Sequence, residues 1–201
     1  MQKVYCIVVQ NRIYFKCSSY DGINVTDLGP TTEFAHSAAS VNLGNYRGSP
    51  FIAGGGKNEN RYQTEVLDRI KGEWPGEWIR KADFPFNAGF YYSAIASLPD
   101  KVYVIGGQRI GAPGGKTDII AQFKDDTWTL VGRMSTRRYG HNVIVSDNDI
   151  IIVGGSSAGY DPEYTDIWNT ETQSITTIGP KFTAYFGPAL LLVDENYCNS
   201  S

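Results

Sequence analysis

Short apolar runs of four to six residues, separated by clusters of Gly, Pro, Asn and Asp, dominate the chain. The runs either alternate apolar with polar positions or are rich in β-branched and aromatic residues, as in KVYVI at 101–105 and DIIIV at 149–153. These patterns are typical of β-strands joined by turns, and no window has the apolar spacing of a long amphipathic helix. The sequence therefore predicts an all-β fold.

Pairs of glycine residues end three of the apolar runs at a regular interval. They are Gly54–Gly55, Gly106–Gly107 and Gly154–Gly155, so the steps between them are 52 and 48 residues. A polar segment follows each pair, and then a threonine, an acidic residue and two apolar residues. Self-similarity at such a period indicates a repeat protein.

Each period contains four predicted strands. The second strand ends at the glycine pair, the third begins with the threonine and the acid, and the fourth carries Trp78, Trp128 or Ile175. The first strands are predicted at 36–41, 92–98 and 139–145, with a fourth copy at 186–193. A four-stranded sheet repeated about every 50 residues is typical of a β-propeller blade.

The middle of the chain resembles the kelch family. KVYVIGG is followed by the tryptophan of TWTLVG, and MSTRRYGH is followed by DIIIVGG, which is similar to the kelch pattern of Met134, Arg138, His141, a glycine pair and a later aromatic residue. The resemblance covers residues 31–193 and implies a β-propeller of four-stranded antiparallel blades. Ile175 departs from the pattern, which has tryptophan there.

The strand pattern also predicts how the chain divides into blades. The predicted divisions are a partial blade at 1–30, blades at 31–82, 83–132 and 133–180, and the first strand of a closing or further blade at 181–201. Kelch propellers usually have six or seven blades, which need about 300 residues. The chain therefore closes into four blades, pairs with a second chain, or belongs to a larger ring, and we favour the larger ring. Self-association is expected if the propeller is incomplete, because an open array exposes apolar faces.

Several repeated residues are assigned structural roles. Glycine adopts positive φ and lets a neighbouring side chain approach the backbone, so the glycine pairs are predicted to mark tight strand ends covered by the next blade. Arg138 is expected to brace neighbouring blades, and His141 to be a packed residue or one that lines the channel of the propeller. Trp78 and Trp128 are assigned as structural residues of the repeat.

Composition and charge exclude several functions. The net charge is −3, from 18 basic and 21 acidic residues without a block of like charges, so nucleic-acid binding is not expected. No run approaches the length of a membrane span, and we expect a cytoplasmic protein.

The few cysteines and histidines do not suggest a metal centre. Three cysteines and two histidines show no metal-ligand spacing, so no metal and no cofactor are predicted. A hairpin turning about Asn11 and Arg12 would place Cys6 opposite Cys17, either as two small buried residues or, in an oxidising compartment, as a disulfide.

Two enzyme-like motifs lack their structural context. GAPGGKT at 111–117 has one residue too few for a phosphate-binding loop, and a strand follows it where a helix is needed. GSSAG at 155–159 resembles a nucleophile elbow around Ser157, but no histidine follows it in the chain. We therefore expect the protein not to be an enzyme.

One enzyme class remains as an alternative. Copper oxidases of the galactose-oxidase type resemble kelch propellers and use tyrosines, a cysteine and two histidines. His36 and His141 fall at the same place in different repeats, and no cysteine lies in a loop beside either of them.

The long loops gather at one face of the predicted propeller. In a four-stranded meander, the loop after the second strand and the connection to the next blade emerge on the same side. Loops on a rigid scaffold usually carry binding function, and tyrosine and arginine often anchor interfaces. The predicted partner-binding residues on this face are Arg61, Tyr62, Arg109, Arg137, Tyr160 and Tyr164. For each tyrosine, packing against its own loop is an equally good interpretation. The sequence thus favours a non-catalytic scaffold that binds a protein partner of unknown identity.

Overall fold

The described part of the chain consists of antiparallel β-sheet. The computed structural model describes residues 3–5, 16–20, 22–30, 42–54, 63–68, 76–85, 90–109, 115–156, 164–179, 186–190 and 192. These residues contain no α-helix, which confirms the prediction of an all-β fold. Nothing in these ranges is a helix of the length and apolar character that a membrane crossing requires.

The described residues form the following strands, in chain order. They are β1 (Lys3–Tyr5), β2 (Lys16–Tyr20), β3 (Val25–Pro30), β4 (Asn42–Tyr46), β5 (Ser49–Ala53), β6 (Thr64–Asp68), β7 (Glu77–Lys81), β8 (Phe90–Tyr91), β9 (Ala94–Leu98), β10 (Lys101–Ile105), β11 (Gln108–Arg109), β12 (Ile119–Lys124), β13 (Thr127–Arg133), β14 (Tyr139–Ser146), β15 (Asp149–Ser156), β16 (Thr165–Asn169) and β17 (Ser174–Ile178).

Three sheets of four strands each correspond to the repeats. The first sheet contains β4 to β7, the middle sheet β9, β10, β12 and β13, and the third sheet β14 to β17, with strands side by side in chain order. The pair β8 and β11 extends the hairpin of β9 and β10 beyond Gly107, where the sequence predicted only a loop. Each glycine-pair period therefore corresponds to one antiparallel meander.

An N-terminal sheet of three strands precedes them. Tyr5 pairs with Ser18 and Lys3 pairs with Tyr20, which is the register expected for a hairpin about Asn11 and Arg12. Asn11, Arg12 and Cys6 themselves lie outside the described residues.

The first strand of the first sheet lies later in the chain than predicted. Asn42 pairs with Ala53 and Tyr46 pairs with Ser49, so the strand is 42–46 and not 36–41. Arg47 and Gly48 both have positive φ and form the two-residue turn that fixes this register. Asn42 is consequently the counterpart of Asn142, which pairs with Val153. His141 directly precedes Asn142, whereas His36 stands six residues before Asn42 and lies outside the described residues, so its predicted equivalence with His141 is not described.

Strand β10 of the middle sheet is buried on both faces. Val102 and Val104 of β10 pack towards Phe51 and Val66 of the first sheet, in a cluster that also contains Phe123. The intervening Tyr103 and Ile105 pack towards Ile150, Ile152 and Trp168 of the third sheet. Because side chains alternate between the faces of a strand, one unbroken apolar run supplies two cores. The three sheets are therefore stacked face to face in chain order.

The first strands of the three sheets are neighbours. Strand β9 contacts both β4 and β14, which are the first strands of the adjoining sheets. Between β4 and β9, the backbone N–H of Asn45 donates to Ser97 Oγ at 2.8 Å, and Gly44 leaves room for Ile95. The sheets thus meet along their first strands as well as through their faces.

Residues of the third repeat pack directly on the glycine pair of the middle sheet. Gly106 has φ +56, and a Cβ placed there would lie 2.5 Å from His141 Cε1 and 2.6 Å from Met134 Cε. The N–H of Gly107 donates to the carbonyl of Arg138 at 2.9 Å. A side chain at residue 106 would therefore strain the backbone and also push the two sheets apart.

The C-terminal segment is not a strand where the structure describes it, although the sequence predicted one over 186–193. Residues 186–190 form bends and irregular backbone. They nevertheless lie along β14, because Gly187 N–H donates to the carbonyl of Gly140 at 2.6 Å and Asn142 Nδ2 donates to the carbonyl of Pro188 at 2.9 Å.

Substitution of Gly106 by alanine tests this packing. Gly106→Ala combines a positive-φ cost of about 1 to 2 kcal/mol with about 1 to 3 kcal/mol for overpacking against His141 and Met134. Gly48→Ala is the matched control, because its φ is +83 but nothing lies within 4 Å of the added Cβ. Urea unfolding is expected to show a distinctly larger loss of stability for Gly106→Ala. Equal losses in the two variants would contradict the tight packing.

Candidate functional site: an aromatic cluster on the loop face

The described strand ends that adjoin the long loops lie at one edge of the sheets, which we call the loop face. It contains the beginnings of β9 and β14, the ends of β10 and β15, and the connection 134–138 that leads from the middle to the third sheet. The tight turns at 99–100, 125–126 and 147–148 lie at the other edge, which we call the turn face.

Four aromatic rings from successive repeats form a cluster on the loop face. Tyr91 and Tyr92 precede β9, Tyr139 begins β14, and Phe186 belongs to the C-terminal segment. The ring of Tyr92 lies 5.1 Å from that of Tyr91, 6.1 Å from that of Tyr139 and 5.8 Å from that of Phe186, centroid to centroid. The rings of Tyr139 and Phe186 are 5.5 Å apart. Such tilted and edge-to-face contacts are favourable for aromatic pairs. The cluster therefore bridges three consecutive units of the chain.

A lysine covers one side of this aromatic cluster. Lys116 Nζ lies 4.9 Å from the centroid of the Tyr139 ring, within the range of a cation–π interaction. Lys116 is held in place by a β-bridge to Gln108, and the N–H of Arg109 donates to the carbonyl of Gly115. The loop after β10 is thus folded back to place a cation beside the rings.

The rings also affect the ionisation of one tyrosine. Burial, with smaller contributions from Tyr92 and Tyr139, raises the pKa of Tyr91 above its ordinary value of 10.0. The Tyr91 hydroxyl therefore remains protonated at neutral pH and keeps its capacity to donate a hydrogen bond.

Tyr92 has a strained backbone at the centre of the cluster. Its φ is +54, and every other described non-glycine residue with positive φ lies in a turn between strands. The counterparts of Tyr92 in the next units are Gly140 and Gly187, 48 and 47 residues further on, with φ +65 and +67. A tyrosine in this region costs of order 1 to 3 kcal/mol, and strain of this kind occurs preferentially at functional sites.

Main-chain hydrogen bonds join these three equivalent positions. Gly140 N–H donates to the carbonyl of Tyr92 at 2.9 Å, and Gly187 N–H donates in turn to the carbonyl of Gly140 at 2.6 Å. The ring of Phe186 lies directly against the Cα of Gly140, where a Cβ would clash with it. The cluster is consequently built on a rigid backbone and not on a free loop.

The predicted partner-binding residues are only partly within the described chain. Arg61, Tyr62 and Tyr160 lie outside it. Arg109 and Arg137 are exposed on the loop face. Arg109 pairs with Phe90 in the extension of the middle sheet, next to the aromatic cluster.

Tyr164 combines exposure with packing against its own sheet. Its side chain is 46% exposed, but its ring lies against the Cα of Gly179. Its carbonyl accepts a hydrogen bond from Arg138 Nη1 at 3.0 Å. For this tyrosine, packing against its own sheet accounts for much of the ring surface.

Arg138 is fully buried and braces the third sheet internally. Its Nη2 donates to Asp166 Oδ2 and to Thr136 Oγ1, both at 3.0 Å, and its Nη1 donates to the carbonyl of Tyr164. The sequence predicted that Arg138 connects neighbouring repeats, but its described side-chain partners are all in its own repeat. The connection to the middle sheet comes from its main chain, since its carbonyl accepts from Gly107 and its N–H donates to Thr117.

His141 is a buried, neutral residue of the sheet junction. Its ring packs on Gly106, and its side chain is buried. Burial, reinforced by the charge of Arg138, lowers the pKa of His141 from 6.5 to about 3. This position suits packing rather than proton transfer near neutral pH.

The remaining repeat residues lie in the cores. Trp128 Nε1 donates to Thr64 Oγ1 and to the carbonyl of Ala82, both at 3.0 Å, and so links the middle sheet to the first. Trp78 is buried in β7. Trp168 of β16 pairs with Ile175 and packs on Gly132 of the middle sheet, so the aromatic residue absent at Ile175 is supplied by the neighbouring strand.

The other two glycine pairs are described in part. Gly54 has φ +66 and donates its N–H to the carbonyl of Gln63, whereas Gly55 is outside the described residues. Gly154 and Gly155, with φ +73 and +92, lie within β15, which continues through them to Ser156. The apolar strand of the third sheet therefore does not end at its glycine pair as predicted.

No metal site is visible in the residues that the structure describes. Among them, no three His, Cys, Asp or Glu side chains lie close enough together to hold an ion.

The sequence prediction missed the aromatic cluster, although a signal for it existed. Tyr91 and Tyr139 each stand 15 residues before a glycine pair, and Phe186 follows Tyr139 by 47 residues. The recurrence of an aromatic residue at this one repeat position marks the place where the rings meet.

Comparisons with known proteins support the fold and leave the function open. No family model matches the chain, and no curated protein matches it. Among solved structures 152 chains match, including the structure of YjhT with a TM-score of 0.64 and 16% sequence identity. The match covers 82% of this chain and 52% of the YjhT chain, so this chain spans about half of the YjhT length. At this identity the similarity concerns the fold alone.

The buried His141 makes stability depend on pH. Because its pKa is about 3 when folded and 6.5 when unfolded, the unfolded chain binds the proton first as the pH falls. The contribution of neutral His141 to the free energy of unfolding is complete above pH 6.5. Below that pH it decreases by about 1.4 kcal/mol per pH unit until the pH reaches the folded pKa.

Urea unfolding of the wild type and of His141→Leu between about pH 7 and about pH 4 isolates this effect. His36 is present in both proteins, so its titration cancels in the difference. The stability advantage of the wild type is expected to shrink as the pH falls. If the free energy of unfolding changed with pH by the same amount in both proteins, His141 would not be buried as described.

Proposed function

We propose that this chain is a non-catalytic interaction scaffold of the kelch-propeller type, which binds a protein partner through its loop face. The proposal unites the kelch-like motifs of the sequence with the three stacked four-stranded sheets. It assigns binding to the aromatic cluster and to the loops around it.

The arrangement of the sheets supports the propeller part of the proposal. The first strands of the three sheets are neighbours, as the inner strands of propeller blades are. The N–H of Gly187 in the C-terminal segment donates to the carbonyl of Gly140, just as the N–H of Gly140 donates to the carbonyl of Tyr92. A further blade starting at Phe186 would continue this series.

The aromatic cluster is the observation that supports binding. Phe186 is 56% exposed although it packs on two tyrosines, and Tyr92 keeps an unfavourable φ where the neighbouring units have glycine. Packing alone would be served by glycine at residue 92, so we attribute the tyrosine to recognition. Rigid aromatic rings lose little conformational entropy on binding and are frequent anchors of protein interfaces.

The exposed residues around the cluster extend this surface. Arg109 and Arg137 lie on the same face, and Lys116 stacks on Tyr139. Aromatic and cationic side chains together can contact both apolar and polar groups of a partner. The proposed site is thus formed by residues from several repeats, as expected for the loop face of a propeller.

Substitution of Tyr92 and Phe186 tests the proposal. Short random peptides displayed on phage are selected on the immobilised chain, and the affinities of the selected peptides are then measured for variants. Tyr92→Gly combined with Phe186→Ala removes two rings, and the glycine relieves the strain at residue 92. We expect affinity to fall at least about tenfold while the melting temperature changes by only a few degrees.

Glu171→Ala on the turn face is the control, because Glu171 is exposed in the turn before β17. It should leave peptide affinity unchanged. Selected peptides that bind the double variant as tightly as the wild type would overturn the proposal.

A further inference from the structure

Charge is distributed unequally between the two faces of the described chain. On the loop face, the side chains that are not fully buried include six basic residues and two acidic ones. The basic residues are Arg80, Lys81, Arg109, Lys116, Arg133 and Arg137. The turn face has eight acidic residues, Asp125, Asp126 and Asp147 among them, against three basic ones. Although the net charge of the protein is −3, the described part of its loop face is therefore positive.

Both partly exposed carboxylates of the described loop face already form ion pairs with arginines of the same face. Asp83 accepts two hydrogen bonds from Arg80, and Asp118 accepts one from Arg133 Nη1 at 2.6 Å. Asp166 is buried and bound by Arg138. No partly exposed carboxylate of the described loop face remains to neutralise Lys116 or Arg137.

These two cations lie beside the aromatic cluster. Lys116 lies over the Tyr139 ring at 4.9 Å, and Arg137 is exposed two residues before Tyr139. A ligand that touches Phe186 and the tyrosines would therefore have positive charge next to it. Apolar contact and charge attraction would act on the same ligand segment.

We infer that the partner segment recognised by the loop face is an acidic peptide that contains an aromatic or large aliphatic side chain. The apolar side chain packs on Phe186 and Tyr92, and the flanking carboxylates face Lys116 and Arg137. This inference rests on the proposed function and specifies its partner. Complementary charge accelerates association and excludes partners of the wrong sign.

A short acidic segment fits the distribution of charge better than a long polyanion does. Among the described residues that are not fully buried, basic residues outnumber acidic ones only at the loop face, and acidic residues predominate at the opposite edge of the same sheets. A nucleic acid needs a broad basic surface to neutralise many phosphates, and it would meet repulsion beyond the loop face.

The experiment uses the displayed random peptides and two charge-matched double variants of the full chain. Lys116→Gln with Arg137→Gln removes two positive charges from the loop face. Lys101→Gln with Lys124→Gln removes two positive charges from the turn face, so the two double variants have the same net charge as each other. Synthetic copies of the selected peptides are titrated with each protein at about 0.05 M and about 0.3 M NaCl.

We expect peptides whose binding depends on Tyr92 and Phe186 to be rich in Asp and Glu. Their affinity should fall at least about tenfold in the loop-face charge variant and in high salt, and remain unchanged in the turn-face variant at low salt. Peptides that depend on Tyr92 and Phe186 but carry no acidic excess would overturn this inference and leave the proposed function intact. Peptides that do not depend on these rings would overturn both. Tighter binding of a single-stranded oligonucleotide than of the acidic peptides would also refute the inference.

Discussion

The close approach of one sheet to the backbone of the preceding sheet is the constraint on which the structure depends. At Gly106 the ring of His141 and the methyl group of Met134 lie where a Cβ would be. The N–H of Gly107 and the carbonyl of Arg138 complete the contact with a hydrogen bond of 2.9 Å. Because each sheet needs the next to cover it, the fold is a stack in which stability comes from the junctions as much as from the sheets.

The same junction creates the surface to which we assign function. Bringing the beginnings of successive first strands together places Tyr92 and Tyr139 side by side, and it places Phe186 on both of them. A surface made in this way is rigid, since hydrogen bonds between main-chain atoms fix the spacing of the rings. The positive φ of Tyr92 costs free energy locally, and the surrounding packing holds the residue in this conformation.

Local patterns in the sequence predicted most of the architecture, because strand periodicity and glycine turns are local properties. The all-β fold followed from the alternation and composition of the apolar runs, and the four-strand repeat followed from the period of the glycine pairs. The first strand of the first sheet was misplaced, since the turn at Arg47 and Gly48 was not recognised. The aromatic cluster could not be located from loop residues alone, because it depends on how far apart the first strands lie. The burial of the Arg138 guanidinium within its own sheet likewise depends on Asp166, 28 residues away.

The most direct test of the junction is hydrogen exchange of single amides, measured by NMR on the native chain. The account predicts that the N–H groups of Gly107 and Gly140 are protected, because they donate to the carbonyls of Arg138 and Tyr92 in the adjoining repeat. Protection of both junction amides to the level of the strand amides of β10 would support stacked repeats joined along their first strands. Exchange at the rate of unstructured chain, with β10 still protected, would contradict it.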